Sequence, residues 1–262
     1  MILMLRSLGR QFLEIYFKWL AKLALFCHHS QIIAIAGSAN KYFFKEAILA
    51  ALRQTSFAAA ANPKDFNTLI GLPLAILDLP SAYHSYYHWL RVIFQAPLKI
   101  ITRRFPDWLV LELGVSDPGE MRRLLSIVKP RVVVVTDLTQ RYLEAFEDID
   151  ESAAEFKYLV SRIDKKGLVV LNYDNPKIRP LAAASAAPVK FFSLKFEAPT
   201  IDRWQIKEIL KISSGQKITW SHDNQTGQTT IDRFGQHHFQ AYLAGLIIQD
   251  FLLKQNVKKT DF

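Results

Sequence analysis

Of 262 residues only one, Cys27, is a cysteine. That excludes an internal disulfide and any zinc site built on a Cys-x-x-Cys pair. There is also no run of about 20 apolar residues free of charge, as a membrane-spanning helix requires. The most apolar segment, Met1 to Phe26, is broken by Arg6, Arg10, Glu14, Lys18 and Lys22. The same charges interrupt every candidate signal-peptide core, and no small-residue cleavage site follows. No repeat stands out, and no linker is long or polar enough to demand a second domain. No basic stripe is interleaved with stacking aromatics, so no specific nucleic-acid partner is expected.

Half of the residues are hydrophobic and 22% are charged, as in a globular domain with ample core. The formal net charge of +9 favours anionic partners. In residues 1–30 a charge at every fourth position predicts an amphipathic helix with Leu, Ile, Phe and Trp on its other faces. Packing on its own domain or on a second copy of the chain is the first reading of that helix. Peripheral contact with a membrane is the second, supported by Trp19 and the basic bias.

Beyond it, β-branched runs alternate with helical stretches. Ile32–Ala36, Trp108–Leu113, Arg131–Thr136 and Gly167–Leu171 read as buried strands. Lys41–Gln54, Pro118–Ile127 and Ser152–Ile163 read as helices. This alternation predicts βαβ units, hence an α/β fold with a mainly parallel sheet covered by helices on both faces. Lys190–Phe196, Lys217–Ser221 and Thr229–Phe234 read as further strands. With a turn at Asp223–Gly227 between the last two, part of this region is expected to be antiparallel. A last helix is expected over His237–Lys254.

The segment Gly37-Ser38-Ala39-Asn40-Lys41-Tyr42-Phe43-Phe44-Lys45-Glu46 follows the first strand. A strand, a small-residue turn and a lysine opening a helix follow the plan of a phosphate-binding loop. Such a loop, however, places glycine before its lysine and Ser or Thr after it. Asn40 tolerates the left-handed backbone that the glycine would adopt. Tyr42 offers no aliphatic hydroxyl for Mg²⁺, and its ring is expected to crowd the phosphate position. Lys45 and Glu46 read as an ordinary helix face. The aromatic and histidine cluster of Tyr83–His88, including His84, reads as helix packing before it reads as a metal or stacking patch.

Six segments, in order, resemble the central ATP-binding domain of the Mur ligases, closest to the branch that adds D-alanyl-D-alanine. They are the 35–46 loop; Phe66-Asn67-Thr68-Leu69-Ile70-Gly71-Leu72-Pro73-Leu74; Leu111-Glu112-Leu113-Gly114 with Asp117-Pro118-Gly119-Glu120; Val135-Thr136-Asp137 with Tyr142-Leu143-Glu144-Ala145-Phe146; Leu171-Asn172-Tyr173-Asp174-Asn175-Pro176; and Gly235-Gln236-His237-His238. The resemblance implies a P-loop-NTPase-like three-layer αβα sandwich, with the amphipathic helix at 1–30, the central domain at 31–255 and a tail at 256–262. It implies a cytoplasmic protein, with the inner face of the membrane as the second location. The family's N-terminal substrate domain and C-terminal lid domain are expected to be absent from this chain.

In the family, ATP phosphorylates a carboxylate and an amine displaces the phosphate, so Mg-ATP is the implied cofactor. Gly37, Ser38, Asn40, Lys41, Asn172, Asp174 and His237 match nucleotide-binding positions, and Asn67 and Thr68 match the substrate loop. Glu112 matches a magnesium ligand, or a partner for Lys41. Lys157 matches the lysine that the family carbamylates, although an exposed, inert helix lysine is its first reading. Tyr142 and Leu69 stand where a metal-associated histidine and a glutamate are usual, and Ala241 replaces an asparagine near the adenine. These departures favour a non-catalytic or nucleotide-impaired binding module. The alternative is an ATP-dependent acid–amino-acid ligase subunit completed in trans by a separate C-terminal domain.

Overall fold

A computed structural model describes residues 2–81, 85–139, 145–195, 203–222 and 225–260. Along the chain, α1 (Ile2–His28) leads into β1 (Gln31–Ala36) and α2 (Lys41–Leu52). There follow β2 (Ala59–Ala61), α3 (Gly71–Leu77), α4 (Tyr86–Thr102), β3 (Trp108–Glu112), α5 (Glu120–Leu125), β4 (Val132–Val135), α6 (Ile149–Ser161) and β5 (Leu168–Asn172). After a short 3₁₀ segment come β6 (Val189–Ser193), β7 (Arg203–Ile212), β8 (Gly215–His222), β9 (Gln225–Ile231) and α7 (Gln236–Thr260). The strands form one nine-stranded sheet in the order β2-β3-β1-β4-β5-β6-β7-β8-β9. The β2 to β7 part is parallel, and β7, β8 and β9 are antiparallel.

Successive side chains of a strand point to opposite faces, and the core divides accordingly. Ile32, Ala34, Leu109, Leu111, Val133 and Val135 face one way, against Leu72 and Ile76 of α3, Met121 of α5 and Leu159 of α6. Ile33, Ile35, Val110, Val132 and Val134 face the other, against Phe44 and Ile48 of α2 and Leu243 and Ile247 of α7. The result is the three-layer αβα sandwich. All four valines of β4 are fully buried, each stabilising the fold by about 1.5–3 kcal/mol at most.

The expected elements form, with shifted ends. α6 begins at Ile149, where the Asp148 side chain caps it by accepting from the Glu151 N–H. α7 runs to Thr260, through the tail boundary expected after 255. β9 begins at Gln225, so Thr226 and Gly227 belong to a strand rather than to the expected turn. α3, α4, β2 and β7 are additions to the sequence reading. α1 packs on its own domain: Phe17 and Ala24 join α3 and α4 in a third apolar cluster, and Glu14 bonds Arg123 of α5 at 3.0 Å. Among the described residues no helix is long and apolar enough to cross a membrane.

Candidate functional site

β1 lies between β3 and β4, so the chain crosses over in both directions from it. In an open parallel sheet the carboxyl ends of strands at such a point form a ligand crevice. Gly37, directly after β1, has φ 139°; a Cβ there would lie 2.2 Å from Thr136 Oγ1 and 2.9 Å from the Asp137 carbonyl. Only glycine lets the loop lie against the end of β4. Ser38 continues that contact: its hydroxyl accepts the Thr139 N–H at 2.8 Å, and its own N–H donates to the Asp137 carbonyl at 2.8 Å. Asn40 takes the left-handed conformation, φ 65°, at the start of α2.

Lys41 and Lys45 then stand one helical turn apart on the same side of α2. The Lys41 ammonium donates to the Gly37 carbonyl at 2.6 Å and so closes its own loop. Burial pushes its pKa below the ordinary 10.5, an effect partly opposed by the negative charge of Glu112.

The Glu112 carboxylate, at the end of β3, makes its contact with Lys45 instead. Lys45 Nζ lies 2.6 Å from Glu112 Oε1 and donates to the Asn62 carbonyl at 2.9 Å. Lys45 is buried, so the expected ordinary helix face and the expected Lys41–Glu112 pair are both corrected. Desolvation explains the choice: a buried ammonium at this position is tolerated only with a charged partner. Asn62 completes the unit, accepting the Glu112 N–H at 2.9 Å and donating to the Phe66 carbonyl at 3.0 Å. The sequence reading missed both Lys45 and Asn62.

In front of the loop is a cavity of about 210 Å³, walled by Gly37, Ser38, Lys41, Asn67, Thr68, Gly114, Ser116, Glu120 and Phe156 among others. Asn67 and Thr68 thus share this cavity with Lys41. The contact is close: a Cβ on Gly114 would fall 2.9 Å from the Asn67 side chain, and the Gly114 N–H donates to the Asn67 carbonyl at 3.0 Å. The expected crowding by Tyr42 is not found. Its ring is half-exposed, lies edge-on to Phe43 with the Lys45 ammonium 5.4 Å away, and is not among the cavity walls.

The remaining expected site residues lie outside this cavity. Asn172 donates to the Thr136 carbonyl at 2.9 Å and accepts the Asp174 N–H at 3.0 Å. Asp174 accepts from the Ser193 hydroxyl at 2.6 Å and the Leu194 N–H at 2.8 Å. Both side chains are engaged in holding the end of β5 against its neighbours. His237 packs against Phe43 and His238, with both centroid distances 4.2 Å, and burial lowers its pKa from 6.5. Lys157 stands on the exposed side of α6. Leu69 and Ala241 are core residues. Tyr142, Tyr83 and His84 lie outside the described residues, and His88 is exposed on α4.

A magnesium ion would need several oxygen ligands. Among the described residues no three of His, Cys, Asp and Glu stand together in a way that could hold a metal. The one carboxylate at the expected position is bound to an ammonium. That carboxylate alone does not supply the set of oxygen ligands a magnesium ion needs.

The basic surplus concentrates elsewhere. A wider cleft of about 750 Å³ at the opposite, amino end of the strands is lined by Arg122, Lys129, Arg131, Arg162 and Lys166 with Asp164. The guanidinium groups of Arg122 and Arg162 lie 5.1 and 4.7 Å from the ring centre of Tyr158. These cations come from separate segments, so no basic stripe shows in the sequence.

Residues 93–248 match the model of the Mur ligase middle domain. Among curated proteins, the UDP-N-acetylmuramoyl-tripeptide–D-alanyl-D-alanine ligase of Rickettsia prowazekii is 26% identical over 162 residues, which are 61% of this chain and 31% of that protein. The Escherichia coli protein of the same name is 26% identical over 148 residues, 56% of this chain and 27% of that one. The chain therefore spans about a third or less of the length of these relatives. Among solved structures, MurF from Acinetobacter baumannii superposes with a TM-score of 0.73 at 16% identity, over 91% of this chain and 47% of that one. MurF ligase from Thermotoga maritima, in complex with ADP, gives 0.73 at 17% identity over 91% and 49%. Both likenesses are of fold alone, and they agree with the family match. The chain belongs to the Mur ligase middle domain family, which relates it to the ligases of peptidoglycan precursors.

Proposed function

We propose that this chain is a Mur-ligase-type binding module with impaired nucleotide and metal binding, rather than a ligase acting by itself. The observation that carries this reading is the Lys45–Glu112 pair at 2.6 Å, which commits the one carboxylate at the metal position. Two further features support it. Lys41 is turned onto its own loop, where it bonds the Gly37 carbonyl, and Tyr42 follows it where a magnesium-binding hydroxyl would stand. The module keeps a small cavity in which Lys41, Asn67 and Thr68 meet, with Glu120 also on its wall.

That same cavity favours a second reading. A cation and the substrate loop on one concave surface are what an ATP-dependent acid–amino-acid ligase subunit would contribute, with a separate lid domain supplied in trans. Titration with a fluorescent ATP analogue, with and without Mg²⁺, separates the two. The module reading expects weak binding that is indifferent to magnesium. Magnesium-dependent binding, abolished by both Lys41→Ala and Glu112→Ala, would overturn it in favour of the ligase subunit.

A further inference from the structure

The outer faces of α1 and α4 carry an unusual amount of exposed apolar surface. On α1, Phe12, Ile15, Trp19, Leu23 and Phe26 are between 49% and 75% exposed. On α4, Tyr87, Leu90, Phe94, Leu98 and Ile101 are between 55% and 83% exposed. The two sets have the same spacing, 3-4-4-3, so each forms one narrow stripe along its helix. Together they present on the order of 1,000 Å² of apolar surface, against the few hundred of an ordinary monomer's largest patch.

Both stripes face the same way. The Tyr16 hydroxyl donates to the Ile93 carbonyl at 2.9 Å, and His28 Nε2 lies 2.7 Å from the Ile100 carbonyl, so the two helices run side by side in the same direction. At 3.6 residues per turn, Tyr16 sits about 60° to one side of its stripe's centre and Ile93 about 100° to the other side of its own. With the contact on opposite sides of two parallel helices, the stripes point to a common face. Beneath them Phe17, Val92 and Ala96 are packed in the domain's third apolar cluster, so the pad is rigidly backed.

The charges around the pad select its occupant. α4 contains no acidic residue, and the one acid among the described side chains of α1, Glu14, is turned to Arg10 and Arg123. The cations Lys18, Lys22 and Arg91 flank the stripes, and the Lys22 ammonium lies 4.8 Å from the Trp19 ring centre. A second copy docked face to face would set these cations against their own kind. An anionic lipid surface accepts the apolar stripes at its acyl boundary and the cations among its headgroups. We propose that the α1–α4 face is a peripheral membrane-binding surface selective for anionic lipid. This is independent of whether nucleotide binds.

Flotation of the full chain with phosphatidylglycerol/phosphatidylcholine vesicles tests it. The wild type is expected to float, and to do so much less with phosphatidylcholine alone or at high salt. The double substitution Trp19→Glu and Phe94→Glu lies on exposed positions and is expected to lower the bound fraction by about tenfold or more with an unchanged melting temperature. Should that variant fail to fold, quenching by brominated phosphatidylcholine within phosphatidylglycerol vesicles gives a second readout. Wild-type tryptophan fluorescence is expected to be quenched, and Trp19→Phe to lose most of that quenching while still floating. Absence of wild-type flotation, equal flotation of the double variant, or a dimer abolished by the double substitution without vesicle binding would each overturn the proposal.

Discussion

Two halves of the candidate site lie a few residues apart and behave differently. The loop half, Gly37 to Lys41, borders a cavity and meets Asn67 and Thr68. The carboxylate half, Glu112 with Lys45 and Asn62, is sealed behind it by mutual hydrogen bonds and an ion pair. Lys41 borders the cavity, although its ammonium is turned onto its own loop and bonds the Gly37 carbonyl. A carboxylate held by a buried ammonium is a structural group, because releasing it would strand a charge in the interior. The contrast teaches that motif positions can survive in one family while their side chains serve different ends.

The largest test of this contrast removes one partner of the sealed half. Lys45→Met should destabilise the domain by about 3–5 kcal/mol, since Glu112 is left buried without its partner. The double change with Glu112→Gln should recover a good part of that loss. Urea unfolding of the three proteins checks it, and an unaffected Lys45→Met would remove the structural role. Next in size, Gly37→Ala should cost about 1–3 kcal/mol, because its Cβ would meet Thr136 Oγ1 at 2.2 Å on a backbone of positive φ.

A smaller effect concerns the open half. The Lys41 pKa lies below the unfolded 10.5 because of burial. Between those two values the unfolded chain binds more protons than the folded one, so Lys41's contribution to stability rises with pH there. The stability difference between wild type and Lys41→Met should therefore shift in favour of the wild type as pH increases through that window. A difference that stays flat with pH would contradict the burial of this ammonium. The smallest effect is acid-side. Burial lowers the pKa of His237 from 6.5, so stability is present above 6.5 and is lost as pH falls from there through the folded value. His237→Phe should flatten that slope in pH-dependent melting.

The sheet was legible because its central strands are short β-branched runs, and Val132–Val135 has no other use than a buried parallel strand. The family was legible from six segments in order, no one of which suffices. β7 was not, because the register shift between Ile206 and Glu208 breaks the period-two pattern. β2 is three alanines, which carry no strand preference. α4 has a proline, Pro97, inside it and an apolar stripe that faces outward. Lys45 was unreadable for a different reason. Its partner is 67 residues away along the chain, and only the register of β1 with β3 brings that partner to α2. Local pattern carries no information on such a pair. The Tyr42 ring was assigned to the phosphate side by its position in a motif, whereas the helix turns it out toward solvent.

Access of magnesium to the carboxylate half decides between the two readings. Melting of the purified chain in rising Mg-ATP measures it most directly. A ligand at 100 times its Kd adds roughly 2.7 kcal/mol, equivalent to a rise of roughly 5–10 °C for a domain of this size. No magnesium-dependent rise is expected; a clear one, lost in Glu112→Ala, would mean that this carboxylate is free to take a magnesium ion.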